Sequence, residues 1–378
     1  MIPANSFLEP ARAQGLDFFT GVPCSFLTPV INRVLGDAGL TYVAAASEGE
    51  AVAIAAGAWL AGRGTAVMCQ SSGLGNAVNP LTSLNYPFRI PTLLIVTWRG
   101  RPGLKDEPQH ELMGAITPKM LDVMKIPHRP FPKDAAAVVP ALERARATMA
   151  ETGLPFAFIM EKGDVADEDL EASPPVVRPR GMGKNMCTGG VPPSRFETLE
   201  RLLGLLPEAA AVIAATGKCG RELFTLSDRP QHLYQVGSMG CSGPMGLGLA
   251  LNVARPVVVL DGDGAALMKM GAMATIGAYG TGNLIHFILD NGTYDSTGGQ
   301  PTVSNSVDFS ALALVCGYAQ AVSCDDLNGF ERAVGAALGN LGPHLIHMRI
   351  APGSKSGLGR PTVSPAQVAR RFKEFLGS

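Results

Sequence analysis

The sequence predicts an α/β protein built from two doubly wound parallel-sheet domains, and three observations predict it. Short, nearly continuous apolar runs alternate with helical segments. A stretch rich in Pro, Gly and acidic residues interrupts that alternation near the middle, after which a second set of similar size begins. Apolar runs without polar alternation belong to strands buried on both faces, which requires helices on both sides of a parallel sheet. A length of 378 residues suits two such domains better than one.

In the first half, 41–46 (TYVAAA) reads as a strand and 51–61 as the helix that follows it. Strands are expected again at 65–70 (TAVMCQ), 91–98 (PTLLIVTW) and 155–160 (PFAFIM), with a helix over 135–149 before the last. Residues 1–165 are therefore expected as the first domain. Residues 166–192 lack periodicity and are rich in breakers and acids, as a linker or exposed crossover would be. The second domain, 193–378, begins with a helix at 196–206. Strands are expected at 210–215, 232–236, 256–260, 284–289 and 344–350, and the amphipathic segment 365–376 closes the chain as a helix.

Composition removes several function classes. The formal net charge is −1 with no basic cluster, which argues against a nucleic-acid surface. No run of 18 apolar residues offers a membrane span, and the first residues lack the pattern of a signal peptide. Seven cysteines, an odd number without a CxxC pair, read as reduced thiols in a cytoplasmic protein.

The most informative segment is 256–291. A strand ends in Asp261-Gly262-Asp263-Gly264, a helix of roughly four turns is expected next, and a second strand ends in Asp290-Asn291. In a right-handed βαβ unit, Asp263 and Asn291 then both lie at carboxyl ends of parallel strands, where such sheets bind ligands. Oxygen donors from a carboxylate and an amide suit Mg²⁺, and the glycines let backbone approach a diphosphate. Gly-Asp-Gly alone is also ordinary turn chemistry. The paired Asn at a second strand end is what favours the metal.

With these residues the sequence resembles the thiamine-diphosphate enzymes, whose motif runs from GDG through a helix to NN. The resemblance implies Asp263, the Asn291 side chain and the Thr293 carbonyl as Mg²⁺ ligands. It also implies Gly262, Gly264, Ala265 and Tyr294 as cofactor contacts. Asp290 departs from the family's first Asn, at a position that does not ligate the metal. Activating this cofactor takes a carboxylate on its aminopyrimidine, in a dry place. Ser47-Glu48-Gly49-Glu50 resembles that segment, with Glu48 assigned the role and Glu50 the fallback. Two acids opening a helix are also common without any such role. Further cofactor contacts are implied for Gly73, Gly75 and Asn76 in the loop 70–76, for Thr216 and Gly217, and for Gly237, Ser238 and Met239. Met239 is the expected wedge that bends the cofactor.

Seven stretches in order then resemble the phosphonopyruvate decarboxylases, a family close to the sulfopyruvate decarboxylases. They are Phe19–Pro23 with Ser25, 72–76, 106–110, Gly217 and Lys218 with 221–223, 236–240, Ser296 with 298–302, and 358–362. The resemblance implies a pyrimidine-binding domain, a diphosphate-binding domain and no central third one. It also implies at least a homodimer with active sites between subunits, because Glu48 and Asp263 lie in different halves. The expected reaction is decarboxylation of 3-phosphonopyruvate to phosphonoacetaldehyde and CO₂, within phosphonate natural-product biosynthesis. Sulfopyruvate decarboxylation and carbon–carbon ligation from another 2-oxo acid are the alternatives.

A phosphonate needs fixed donors and cations, and Ser25, Lys105, Gln109 and Arg360 are the candidates, with Lys355 beside them. Lys105 and Lys355 read equally as solvated loop charges. His110 is either a proton donor in catalysis or a simple hydrogen-bonding residue. Cys24 stands where an acidic residue is expected, near the substrate entrance, and the other five histidines read as structural.

Overall fold

The structure, a computed structural model, describes residues 1–171 and 178–378. It divides into two compact units, Met1–Pro175 and Val176–Ser378. The division falls within the stretch expected as a linker, of which 172–177 lie outside the described residues.

The first unit holds a six-stranded sheet of β1 (Leu16–Gly21), β2 (Thr41–Ala44), β3 (Gly64–Gln70), β4 (Leu93–Thr97), β5 (His128–Pro130) and β6 (Phe156–Met160). Their order is β2-β1-β3-β4-β6-β5, and every pairing is parallel. Strand β4 is buried along its whole length, as a strand covered on both faces must be. One face packs on Phe7, Phe131 and Phe158, with Phe7 and Phe131 rings 4.7 Å apart. The other packs on Ala51, Ala55, Leu74 and Leu121. The helix Glu48–Leu60 is almost wholly buried because its Ala and Gly residues let it sit close to the sheet.

The second unit has a seven-stranded sheet of β7 (Met182–Asn185), β8 (Ala211–Ala214), β9 (His232–Tyr234), β10 (Val257–Gly262), β11 (Leu284–Asp290), β14 (Gln320–Cys324) and β15 (His344–Arg349). A short antiparallel pair, β12 (Thr293–Tyr294) and β13 (Gln300–Pro301), stands after β11. The order is β7-β14-β15-β11-β10-β8-β9, again with all pairings parallel. A parallel sheet gathers the carboxyl ends of its strands on one edge. In each unit residues expected at the site stand at that edge where a strand gives way to a helix, Glu48 opening Glu48–Leu60 after β2 and Asp263 opening Asp263–Met268 after β10.

Three features differ from the sequence expectation. The stretch expected as linker supplies an edge strand, β7, paired to β14 although all its residues are exposed. Strands β1, β5, β7 and β14 lie outside the expected set; β5 and β7 carry little apolar signal, whereas β1 buries Phe18 and Phe19. The single helix expected after Gly264 is two, Asp263–Met268 and Ala272–Tyr279. Lys269 leaves helical geometry at φ −131°, and Gly271 precedes the second start.

Candidate active site

In the first unit, Ser47 turns the chain from β2 into the helix Glu48–Leu60, its hydroxyl accepting the Glu50 N–H at 3.3 Å. The two acids that follow then diverge. Glu50 folds back to accept the Ala46 N–H at 3.0 Å, tying down its own turn. Glu48 is 9% exposed, and its Oε2 accepts from Asn76 Nδ2 at 2.8 Å. Gly73 completes this cluster, because a Cβ there would lie 2.1 Å from Glu48 Oε1. The structure thus brings Glu48, Gly73 and Asn76 together, while Gly75 is exposed with open space where a side chain would go. Burial and then the Glu48 charge push the neighbouring Cys69 thiol far above its ordinary value, so it stays neutral.

Beyond β4, Arg99 grips Asp106 through two bonds, Nε to Oδ2 at 2.8 Å and Nη2 to Oδ1. The Gly100 and Glu107 N–H groups also donate to Asp106, each at 2.8 Å. The Arg99 hydrogen bond, chiefly, holds Asp106 well below the usual carboxylate range. Arg99 also lies over the Phe26 ring and donates to Ser25 Oγ at 3.4 Å. Nothing in the sequence singled out Arg99; its one signal was a cation immediately after a buried strand. Ser25, Lys105 and Gln109 are exposed on the same loops. His110 is 5% exposed, and its Nδ1 has no hydrogen-bond partner among the described residues. Cys24, expected near the substrate entrance, is buried, with Sγ 3.3 Å from Thr97 Oγ1, because the loop after β1 folds it against the end of β4.

In the second unit a cavity of about 210 Å³ opens at the carboxyl edge. Gly262, Asp263, Gly264 and Ala265 form one wall, and Asn291, Thr293 and Tyr294 another. Thr216, Gly217 and Met239 line it as well, so the structure brings ten predicted residues into one place. Gly237 and Ser238 stand outside that lining. Ser238 is buried at φ 53°, a left-handed conformation steadied by Gln235 Nε2 donating to the Ser238 carbonyl at 2.8 Å. That strained turn carries Met239 into the cavity. Gly264 fits only as glycine, since a Cβ there would meet the Tyr294 ring at 2.4 Å and Met239 Cε at 3.2 Å.

Asp263 is 2% exposed, and Thr302 Oγ1 donates to its Oδ2. Burial raises its pKa, partly opposed by the Thr302 bond, and the charge of Asp290 raises it further. No cation among the described residues pairs with it. A buried carboxylate in this state is held at a cost that a divalent ion would remove. Asp290, the departure from the family pattern, is bonded by His347 Nε2 at 2.9 Å and Ser304 Oγ at 2.9 Å. Ser304 also lies 3.0 Å from Thr302, so a chain of hydroxyls joins the two strand ends. Among the described residues no group of three His, Cys, Asp or Glu side chains could hold a metal. A donor set of one carboxylate, one amide and one carbonyl needs no such group. With Arg195 and Lys218 also lining the cavity, these residues fit a Mg²⁺–diphosphate group.

A second cavity of about 490 Å³ is lined by Thr216, Lys218, Arg221, Ser296 and Arg360. Arg221 donates to the carbonyls of Leu358 and Gly359 at 2.7 and 3.1 Å, which fixes the loop bearing Arg360. Lys355 is engaged elsewhere, its Nζ 3.8 Å from the centre of the Phe196 ring.

Comparison with known proteins gives two family models. One described as the N-terminal TPP binding domain of thiamine pyrophosphate enzymes matches residues 4–126, and one described as the C-terminal TPP binding domain matches 215–348. Phosphonopyruvate decarboxylase of Streptomyces viridochromogenes is 49% identical over 100% of this chain and 95% of its own. The Streptomyces hygroscopicus protein of the same name is 48% identical over 99% and 94%. In Methanocaldococcus jannaschii, sulfopyruvate decarboxylase occurs as separate subunits. Subunit alpha is 37% identical over 40% of this chain and 88% of its own, and subunit beta 31% over 49% and 97%. Among solved structures, the 4-hydroxybenzoylformate decarboxylase of Rhodococcus jostii RHA1 superposes with a TM-score of 0.73 at 15% identity. The match covers 93% of this chain and 99% of that one and speaks to the fold alone.

Proposed function

Because the chain belongs to the thiamine pyrophosphate enzymes, and among them to the phosphonopyruvate decarboxylases, we infer that it decarboxylates 3-phosphonopyruvate to phosphonoacetaldehyde and CO₂ with thiamine diphosphate. The observation that carries this reading is the near-half identity to the Streptomyces enzymes along the whole chain.

The bound cofactor supplies a nucleophilic carbon and an electron sink for the pair released with CO₂. The protein's part is positioning and proton control. Glu48 holds a proton at the pyrimidine ring nitrogen, and Asn76 and Gly73 keep its carboxylate in place. Asp263, the Asn291 oxygen and the Thr293 carbonyl would hold Mg²⁺, which would neutralise charge on the diphosphate. Met239, which lines the cavity close to Gly264, would support the bound cofactor. His110, with a free ring nitrogen in a buried setting, is the group we assign to proton delivery. Ser25, Lys105 and Gln109 from one unit, and Arg360 from the other, are assigned to the substrate and its phosphonate.

Residues 1–165 and 193–378 are proposed as the pyrimidine-binding and diphosphate-binding domains. The two ends of one cofactor are then held by two copies of the chain, in at least a homodimer. Phosphonate natural-product biosynthesis is the implied setting, where irreversible loss of CO₂ drives the pathway forward. No helix among the described residues is long and apolar enough to cross a membrane. Seven free cysteines suit a reducing compartment, the cytoplasm.

The matches to sulfopyruvate decarboxylase subunits favour one rival, a sulfonate in place of the phosphonate. Measuring CO₂ release from phosphonopyruvate and sulfopyruvate, with thiamine diphosphate and Mg²⁺ added, separates the two. Phosphonopyruvate is expected to turn over faster, and equal or faster release from sulfopyruvate would overturn the choice.

A further inference from the structure

Asp295 was no part of any motif reading, yet it is the most connected side chain around the metal turn. Its Oδ2 accepts from Asn291 Nδ2 at 2.7 Å and from Arg195 Nη2. Its Oδ1 accepts from Thr293 Oγ1 and from the Gly353 N–H, both at 3.1 Å. On the other side of Asn291, the Thr293 N–H donates to Oδ1 at 3.1 Å. The Asn291 amide therefore sits between an obligate donor and an obligate acceptor. Only one of its two orientations satisfies both, so the positions of its oxygen and nitrogen are fixed by its neighbours.

That matters because an amide can serve a hard cation only through its oxygen. Asn291 Oδ1 carries two lone pairs, and the Thr293 N–H uses one. Rotated by half a turn, the same side chain would present an N–H₂ group and repel the ion. Asp295 is itself held in register. Arg195 is buried and also faces Glu222, with Nη1 3.6 Å from Oε1, while the Lys355 N–H donates to that same Glu222 oxygen at 3.3 Å. Arg195 thus connects the metal turn to the loop after β15 without touching the ligands.

We propose that Asp295 is the positioning residue of the metal turn, holding the Asn291 amide with its oxygen available to the cation. The inference rests on the reading of Asp263 and Asn291 as Mg²⁺ ligands and adds the residue that makes Asn291 competent.

The test is a Mn²⁺ titration at fixed thiamine diphosphate, followed by the EPR signal of the free ion, on full-length variants. Asp295→Asn replaces one acceptor by a donor and lets the Asn291 amide turn. Outer-shell partners of metal ligands are worth about 10- to 100-fold in affinity, and a loss of that size is expected. Because Asp295→Asn also removes the charge beside buried Arg195, its Mn²⁺ affinity is read well below its own melting temperature, on protein shown to be folded. Should Asp295→Asn melt low, Asp295→Glu keeps the charge beside Arg195 while moving the oxygens away, and the same loss is expected. Mn²⁺ affinity within about 2-fold of wild type in a folded variant overturns the proposal. Asp263→Ala is the control for the underlying reading. If it too binds Mn²⁺ normally, the metal site itself is wrong. If it loses the ion while the Asp295 variants do not, only the role of Asp295 falls.

Discussion

Glu48 and Gly73 act as one object although they are 25 positions apart. The carboxylate occupies the space that any side chain at 73 would need, and Asn76 holds its other oxygen. Two substitutions should therefore converge. Glu48→Gln keeps the shape and loses the charge, so thiamine diphosphate affinity should stay near wild type while turnover falls on the order of 100-fold or more. Gly73→Ala leaves Glu48 chemically intact but displaces it, and should cost turnover on the same scale. Steady-state kinetics with calorimetry on both variants is the check. Wild-type turnover in Gly73→Ala would mean that the Glu48 carboxylate does not act from this position. The sequence offered Glu48 and Gly73 separately, through resemblance. That one makes room for the other shows only in the fold, because the contact joins the start of a helix to the turn after β3, with no periodicity linking them.

At the level of elements, the C-terminal helix Pro365–Leu376 is fastened beside β9 by a polar cluster. Arg371 pairs with Asp228 through both nitrogens at 2.9 and 2.7 Å, and Tyr234 OH donates to Asp228 at 2.9 Å. His232 lies under this cluster with Nδ1 3.0 Å from the Ser227 carbonyl. Burial lowers the His232 pKa to about 4. Above pH 6.5 the imidazole is neutral whether folded or unfolded and contributes nothing to pH dependence. Between 6.5 and about 4 the unfolded chain binds the proton and the folded one does not, so acid favours unfolding. The slope approaches about 1.4 kcal/mol per pH unit, and the buried His344, also lowered, adds to it. Thermal melts across this range should show a shallower slope for His232→Gln. An unchanged slope would remove His232 from the account.

Elements also mark the limit of what the sequence discloses. The long apolar strands β3, β4, β10 and β11 stand where their runs of Val, Leu and Ile placed them. Strand β7, Met-Gly-Lys-Asn, has no apolar pattern because it buries no side chain and exists only through its ladder with β14. Arg195, Glu222, Thr302 and Asp295 were equally hidden as partners, although two of them fell inside quoted motifs. A buried ion pair or a hydroxyl bridge between distant loops leaves no mark of spacing in a single chain.

For the whole molecule, the proposed cofactor requires groups from both units, and the homodimer reading assigns them to different copies. A mixture of subunits tests this directly. Glu48→Gln and Asp263→Ala chains are each expected to be inactive alone. Co-refolded or co-expressed, half the dimers should be mixed, and one of the two sites in each mixed dimer should hold both intact groups. Activity should recover to about one quarter of wild type. No recovery in verified mixed dimers would place both groups in the same copy.

The burial of Asp263 without a cation among the described residues also has a consequence for the life of the protein. On the proposed reading of Asp263 as a Mg²⁺ ligand, the like charges at 263 and 290, linked through the hydroxyls of Thr302 and Ser304, should leave the ion-free chain the less stable form. Ligands that bind only the folded state stabilise it in proportion to their saturation. Vitamin supply would then govern how long each copy survives proteolysis as well as how fast it works.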